Sequence, residues 1–202
     1  MTARVFLLSP AMCGGERAQM VMSPRATFPL AQQLRTEAGA PLGDVFSFLS
    51  GLYFRGKLAY ARAFAVPPPG APGVLVITPD AGLRPPEVPL TAAGLRAAAR
   101  VDVGVDSRRY RQPLERDARA LAAALPPETE IVLLGSIATD KYLLPLGAVF
   151  GERLTYPLDF AGRGDMSRGA LLLRCVAAGS ELTYAPASTV VRRGRAGVAG
   201  SG

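Results

Sequence analysis

The residues best suited to chemistry in this chain lie in one segment, FAGRGDMSRG at positions 160–169. Its glycines allow the backbone to approach a ligand closely. Asp165 and Ser167 precede an apolar run where a helix would begin. Arg163 and Arg168 flank that helix start, and a helix N-terminus beside two guanidinium groups attracts anions. The segment therefore predicts an anion-binding turn, with an ordinary capped strand-to-helix turn as the alternative.

A second polar loop, GSIATDKY at residues 135–142, also follows an apolar run. It invites comparison with the phosphate-cradling Walker loop. However, Asp140 stands where the second glycine belongs, and Tyr142 stands where a hydroxyl residue holds magnesium. A nucleoside triphosphatase is therefore disfavoured, and a capped helix start is the plain alternative. Three polar side chains of the loop could still hold one phosphate or sugar: Ser136, Thr139 and Lys141.

The segment SGLYFRGK at residues 50–57 combines aromatic rings with cations. Tyr53 and Phe54 could stack on a nucleobase. Arg55 and Lys57 could hold the phosphate of the same nucleotide. The alternative is that both rings belong to the core and that the charges are solvated.

Two more loops carry polar residues after apolar runs. The segment SPAMCGGER at residues 9–17 offers the Ser9 hydroxyl and the Cys13 thiol. The thiol is a weak candidate nucleophile because no histidine can activate it. The segment TPDAGLR at residues 78–84 places Asp80 after the clearest strand, where an aspartate in a proline-initiated turn is the alternative.

Composition narrows the possible site chemistry further. The chain has 202 residues, two cysteines and no histidine. These counts exclude Ser-His-Asp and Cys-His machinery, the usual zinc sites and a disulfide framework. Proton transfer must therefore use Asp, Glu, Lys, Tyr, Cys or water. We expect neither a metal nor a cofactor.

Length and charge set the domain organisation and the classes of partner. We expect one domain at residues 1–191 and a disordered Gly/Ala/Arg tail at residues 192–202. The formal charge is +7, and three of the arginines lie in that tail. The remaining excess is mild, so it is compatible with a nucleic-acid partner without requiring one. With no apolar run long enough for a bilayer and no signal peptide, we expect a cytoplasmic protein with no membrane partner.

The elements that must position these loops follow from the hydrophobic pattern. Five strand-like runs alternate with helices, at residues 5–8, 44–49, 74–77, 131–134 and 151–160. Weaker edge strands are predicted at residues 101–105 and 182–191. One helix is predicted to start at Pro113. A second, short helix is predicted to start near residue 142 and to break near Pro145. This alternation predicts a single α/β domain with a mainly parallel sheet flanked by helices. Ligands of such sheets bind outside the carboxyl ends of the strands. We therefore expect all five loops to converge on one edge of the sheet.

Several short motifs resemble known families. The opening VFLLSPA at residues 5–11 resembles the start of the YaaA peroxide-stress family, and YFRGKLAY at 53–60 with ITPDAGL at 77–83 resembles the related DUF6884 family. The resemblance implies an α/β protein connected with DNA damage or nucleobase metabolism, with glycosylase-like relatives. The positions that match are Ser9, Tyr53, Lys57 and Gly82. The chain departs from the pattern in the loop after Ser9, and it lacks a helix-hairpin-helix-like insertion.

These observations predict a pocket for a nucleobase, nucleoside or nucleotide, free or within nucleic acid. N-glycosidic bond chemistry is favoured, because a carboxylate can stabilise an oxocarbenium-like sugar or activate water without histidine. Asp165 is the first candidate, followed by Asp140 and Asp80. The candidate ligand or phosphate contacts are Ser9, Tyr53, Arg55, Lys57, Ser136, Thr139, Lys141, Arg163, Ser167 and Arg168. The alternatives are a non-catalytic DNA-binding stress-response protein and a small-molecule sugar-phosphate enzyme.

Overall fold

Apolar strands and helices alternate along the chain. The computed structural model describes residues 2–189. The strands are β1 (Arg4–Leu8), β2 (Ala40–Pro41), β3 (Val74–Thr78), β4 (Gly82–Arg84), β5 (Pro89–Leu90), β6 (Glu130–Leu134), β7 (Leu154–Pro157) and β8 (Tyr184–Pro186). The helices are α1 (Glu16–Met22), α2 (Pro29–Leu34), α3 (Leu42–Ser50), α4 (Leu52–Phe64), α5 (Ala92–Ala99), α6 (Arg108–Ala124), α7 (Asp140–Phe150) and α8 (Asp165–Ala178).

The main sheet has six strands in the order β4-β3-β1-β6-β7-β8. Strand β1 pairs in parallel with β3 and β6, and β6 pairs in parallel with β7. The edge strands β4 and β8 are antiparallel to their neighbours. Strands β2 and β5 form a separate antiparallel pair. The predicted α/β class, with a mainly parallel sheet flanked by helices, is confirmed.

Helices cover both faces of this sheet. Phe6 and Leu8 of β1 belong to one apolar cluster, which includes residues of α1–α4 and α8. Val5 and Leu7 belong to a second cluster, which includes residues of α6 and α7. A central parallel strand is buried on both faces, so its sequence is a continuous apolar run. That is why β1, β3 and β6 can be recognised from sequence.

The strand predicted at residues 44–49 is wrong, because these residues lie in helix α3. Leu42, Val45, Phe46 and Leu49 are all buried. Their spacing is that of one helical face, whereas a strand would bury alternate residues. The segment therefore does not end at the sheet edge as a strand would. It leads directly into α4 through Gly51, which has a φ of +61°.

Two prolines lie inside helices instead of marking their ends. Pro113 lies within α6, which begins at Arg108. Pro145 lies within α7, where a break was predicted. Proline leaves the carbonyl four residues earlier without its helical donor. At Pro145 that carbonyl belongs to Lys141, and it accepts a hydrogen bond from the Tyr110 hydroxyl at 3.0 Å. The tertiary contact thus satisfies the backbone group that the proline leaves free.

Three other boundaries also differ from the predictions. Residues 101–105 form a loop and no strand, since Asp102 and Gly104 have low strand propensity. Within residues 151–160 only β7 is a strand, and short 3-10 turns lie on either side of it. Of the edge strand predicted at 182–191, the described residues form only β8. Residues 190 and 191 lie outside the described part of the chain.

The predicted tail at residues 192–202 also lies outside the described residues. Among residues 2–189, no helix combines the length and the apolar character needed to cross a membrane. The same residues contain no group of three or more cysteine or acidic side chains placed to hold a metal ion.

Candidate functional site

A pocket of about 750 Å³ lies beyond the carboxyl ends of the parallel strands. Each of the five predicted segments contributes at least one lining residue. These residues include Ser9 after β1, Tyr53 on α4, Pro79 after β3, Lys141 at the start of α7 and Asp165 at the start of α8. Four of the segments follow strands, as predicted, and the segment at residues 50–57 reaches the pocket from the α3–α4 junction instead.

Two glycines bring helices α4 and α8 together beside the pocket. A Cβ atom added to Gly56 would lie 2.7 Å from the Gly169 carbonyl oxygen. One added to Gly169 would lie 2.8 Å from the Leu52 carbonyl oxygen and from the Tyr53 Cα. Only glycine permits backbones to approach so closely. This crossing therefore places Tyr53 and Lys57 of α4 next to the acidic start of α8.

Lys57 is the most unusual side chain of the site, because it is only 1% exposed. Its Nζ atom donates hydrogen bonds to the Ser9 carbonyl oxygen and to Ser9 Oγ, each at 2.7 Å. It also lies 4.5 Å from the centroid of the Tyr53 ring. Burial lowers the pKa of Lys57 to about 7, although Asp165 acts to raise it and Arg168 acts to lower it further. In this structure Lys57 therefore binds Ser9, whereas the sequence predicts it as a phosphate ligand.

Tyr53 and Phe54 are only 5% and 0% exposed, which leaves neither ring an open face on which a nucleobase could stack. Both belong to the core, as the alternative held. The Tyr53 hydroxyl is buried without a hydrogen-bond partner among residues 2–189. Burial raises the pKa of Tyr53 to about 12, and the neighbouring Arg168 opposes that rise. Tyr53 thus closes the wall of the pocket with a neutral hydroxyl.

Tyr142 is a pocket residue, although in the sequence it stands out only as a mismatch to the Walker loop. It is buried on α7 and lines the pocket. Burial raises its pKa, as do the nearby Tyr53 and Asp165, whereas a side-chain contact with Ser9 lowers it. Lys57 and Tyr142 therefore both contact Ser9, and Tyr53 lies beside Lys57.

The segment at residues 160–169 divides into one pocket residue and several supporting ones. Asp165 lines the pocket, and its side chain is 70% exposed. Arg168 is buried and donates two hydrogen bonds to the Phe160 carbonyl oxygen, at 3.2 and 3.0 Å. Its guanidinium lies 3.6 Å from the Asp165 carboxylate. Arg163 is exposed and donates to Ser167 Oγ at 3.2 Å. Arg168 therefore orders this turn, and Asp165 is the segment's contribution to the pocket.

The other candidate residues are distributed around the site. Ser136 and Lys141 line the pocket, whereas Arg55, Thr139 and Asp140 are exposed and lie outside its lining. Asp80 is half-buried and also lies outside the lining.

The thiol of Cys13 lines the pocket but is poorly suited to attack. Burial raises its pKa to about 12, and the nearby Asp80 adds to the rise. Because the thiolate is the reactive form, this cysteine is inert at neutral pH.

A sixth segment of the pocket is not among the five predicted from the sequence. The end of α5 and the following loop, residues 98–103, form one wall and include Arg100 and Asp102. The strand predicted at residues 101–105 concealed this loop, although the charges of Arg100 and Asp102 were a usable signal. With Lys141 and Asp165, the pocket carries charges of both signs.

Comparison with protein-family models, curated proteins and solved structures finds no significant match to this chain.

Proposed function

We propose that the pocket binds a nucleoside or nucleotide and that the protein acts on its N-glycosidic bond. The observation that carries this proposal is the placement of the Asp165 carboxylate in a pocket of about 750 Å³ that also contains Lys141 and Arg100. That volume falls within the range of about 300–1,000 Å³ typical of small-molecule sites. The position beyond the carboxyl ends of parallel strands is where open α/β sheets bind ligands.

The charges suit the chemistry of an N-glycoside. Cleavage of the bond develops positive charge on the sugar, which a carboxylate can stabilise while it activates an acceptor water. Asp165 is the exposed carboxylate at the start of α8 that can take this role. Lys141 and Arg100 are the cations available for a phosphate. The proposal also accords with the motif resemblance to families connected with nucleobase metabolism.

Ion pairs neutralise some of the surface arginines. Arg62 pairs with Glu87, and Arg116 pairs with Asp117. On α6, Glu115 pairs with both Arg111 and Arg119. Polyanion binding depends on cations that are free to neutralise phosphates. A steep fall of DNA affinity with rising salt would support the alternative of a nucleic-acid-binding protein.

Replacing Asp165 with asparagine is expected to reduce turnover by at least about 100-fold, the usual contribution of a general base. The measurement is the release of free base from a panel of ribo- and deoxyribonucleosides and their 5′-monophosphates, followed by chromatography. Asp159→Asn is the matched control, since Asp159 is an exposed aspartate that does not line the pocket. Wild-type protein that releases no base from any of these compounds, or full activity in Asp165→Asn, would contradict the proposal. Turnover of sugar phosphates alone would identify the sugar-phosphate enzyme instead.

A further inference from the structure

We propose that Ser9 is a nucleophile activated by Lys57, and that the pocket accepts small carboxylic esters as electrophiles. This inference goes beyond the proposed nucleoside chemistry and does not depend on it. It stands on the position of the Ser9 hydroxyl, which lines the pocket and is hydrogen-bonded at 2.7 Å to a buried amine.

The backbone around Ser9 holds the hydroxyl in a defined position. Its amide donates to the Leu134 carbonyl oxygen at 3.0 Å, which extends the pairing of β1 with β6 by one residue. Gly135 leaves room beside it, since a Cβ added there would lie 3.0 Å from Ser9 Cβ and 3.3 Å from Oγ. The Ser9 residue is 5% exposed and still forms part of the pocket lining. The hydroxyl therefore lies at the base of the pocket, where a bound ligand can meet it.

Lys57 has the arrangement required of a general base. In its neutral form the amine can donate one N–H to the Ser9 carbonyl oxygen and accept the hydrogen of Ser9 Oγ. The rings of Tyr53 and Phe54 lie beside Nζ on the same helix. Asp165 and Arg168 of α8 are the charged groups that influence Nζ, with opposite effects. Burial among these groups lowers the pKa of Lys57 to about 7, so that much of the amine is unprotonated near neutral pH.

The reaction with an ester then balances without any further reactant but water. Ser9 Oγ bonds to the ester carbonyl carbon, and its proton passes to Lys57 Nζ. The bond from that carbon to the alcohol oxygen breaks, and Lys57 returns the proton to the departing alcohol. In the second step the oxygen of a water molecule bonds to the acyl carbon, and Lys57 accepts one proton of that water. The bond from the acyl carbon to Ser9 Oγ then breaks, and Lys57 returns the proton to Oγ. The products are a carboxylic acid and an alcohol. Lys141 and Arg100 are the cations of the pocket lining that can stabilise the transient oxyanion.

The test is labelling by an alkyl fluorophosphonate, in which an Oγ–P bond forms and fluoride leaves. We expect wild-type protein to gain the mass of one adduct, mapped to Ser9 by peptide mass spectrometry. Ser9→Ala should gain none. Ser50→Ala is the matched control, because Ser50 lines the same pocket and no described hydrogen bond joins it to a lysine. Hydrolysis of p-nitrophenyl acetate should be lost in Ser9→Ala and kept in Ser50→Ala.

Variants of the base provide the second half of the test. Lys57→Met should slow labelling at pH 7.5 by at least about 100-fold. If that variant does not fold, the pH profile of wild-type labelling gives the answer. Its rate should rise through about pH 7, and Asp165→Asn should move the midpoint to lower pH because Asp165 raises the pKa of Lys57. An unlabelled wild type, an adduct on another residue, or a rate independent of pH between 6 and 9 would overturn the proposal. An inert nucleoside panel would leave it standing.

Discussion

Replacing Gly169 with alanine is expected to lower the free energy of unfolding by about 2 kcal/mol or more, in the upper part of the usual range for overpacking. The added methyl group would lie 2.8 Å from both the Leu52 carbonyl oxygen and the Tyr53 Cα. These are backbone atoms, which cannot rotate away as the end of a flexible side chain can. Helix α8 must therefore move away from α4. That movement should also weaken the contact of Lys57 with Ser9.

Gly147→Ala is the matched control for this experiment. Gly147 also lies inside a helix, α7, and a Cβ added to it would meet nothing within 4 Å. Alanine is the better helix former, so this variant should gain about 0.5–1 kcal/mol. Urea unfolding followed by circular dichroism measures both changes. Equal stabilisation by the two substitutions would show that the α4–α8 crossing is looser than described here.

The free energy of unfolding is expected to rise by about 3 kcal/mol between pH 6 and pH 9 because of Lys57. Its pKa is lowered to about 7 in the folded protein, whereas an unfolded lysine titrates near 10.4. Between these values the unfolded chain binds more protons than the folded one, so stability increases with pH. Below pH 7 both states are protonated, and the fold then contains a buried ammonium.

The pH at which the free energy of unfolding stops rising is set by other buried groups. The pKa values of Cys13 and Tyr53 are both raised to about 12. A raised pKa means that the folded state keeps its proton after the unfolded state has lost it, so stability falls as pH rises further. We therefore expect maximal stability near pH 9.

Lys57→Met should remove the rise between pH 6 and pH 9 and leave a profile flat to within about 1 kcal/mol. Urea unfolding at four pH values across this range is sufficient. Lys141→Met is the control, since Lys141 is the half-exposed lysine of the same pocket and its loss should leave the slope intact. A slope that persists in Lys57→Met would assign the pH dependence to another group.

Asp165 links the two proposals for the pocket. It is the carboxylate proposed to assist N-glycoside cleavage, and it also raises the pKa of the Lys57 amine proposed to activate Ser9. One substitution, Asp165→Asn, therefore has two separate readouts. Loss of base release tests the nucleoside proposal, and the shifted midpoint of labelling tests the Ser9 proposal.

The sequence by itself determined the fold class and the edge of the sheet that carries the site. Central parallel strands are buried on both faces, so β1, β3 and β6 stand out as apolar runs. The sequence of helix α3 predicts a strand because its buried residues form a short, nearly continuous apolar run, which a helix and a strand can share. Polar residues that follow the parallel strands must meet at one edge, and this simple geometry predicted the convergence of the loops.

Only the tertiary structure decided what each polar side chain does there. Lys57 and Arg168 looked like phosphate ligands from their charge, yet both are buried and bind protein oxygen atoms. Their burial arises from the close crossing of α4 and α8, in which Gly56 meets a glycine more than one hundred positions along the chain. Local sequence patterns report on neighbours three or four residues away and contain no information on such a contact. The hydrogen bond between Ser9 and Lys57, and the lowered pKa of that lysine, therefore became visible only when the helices were packed together.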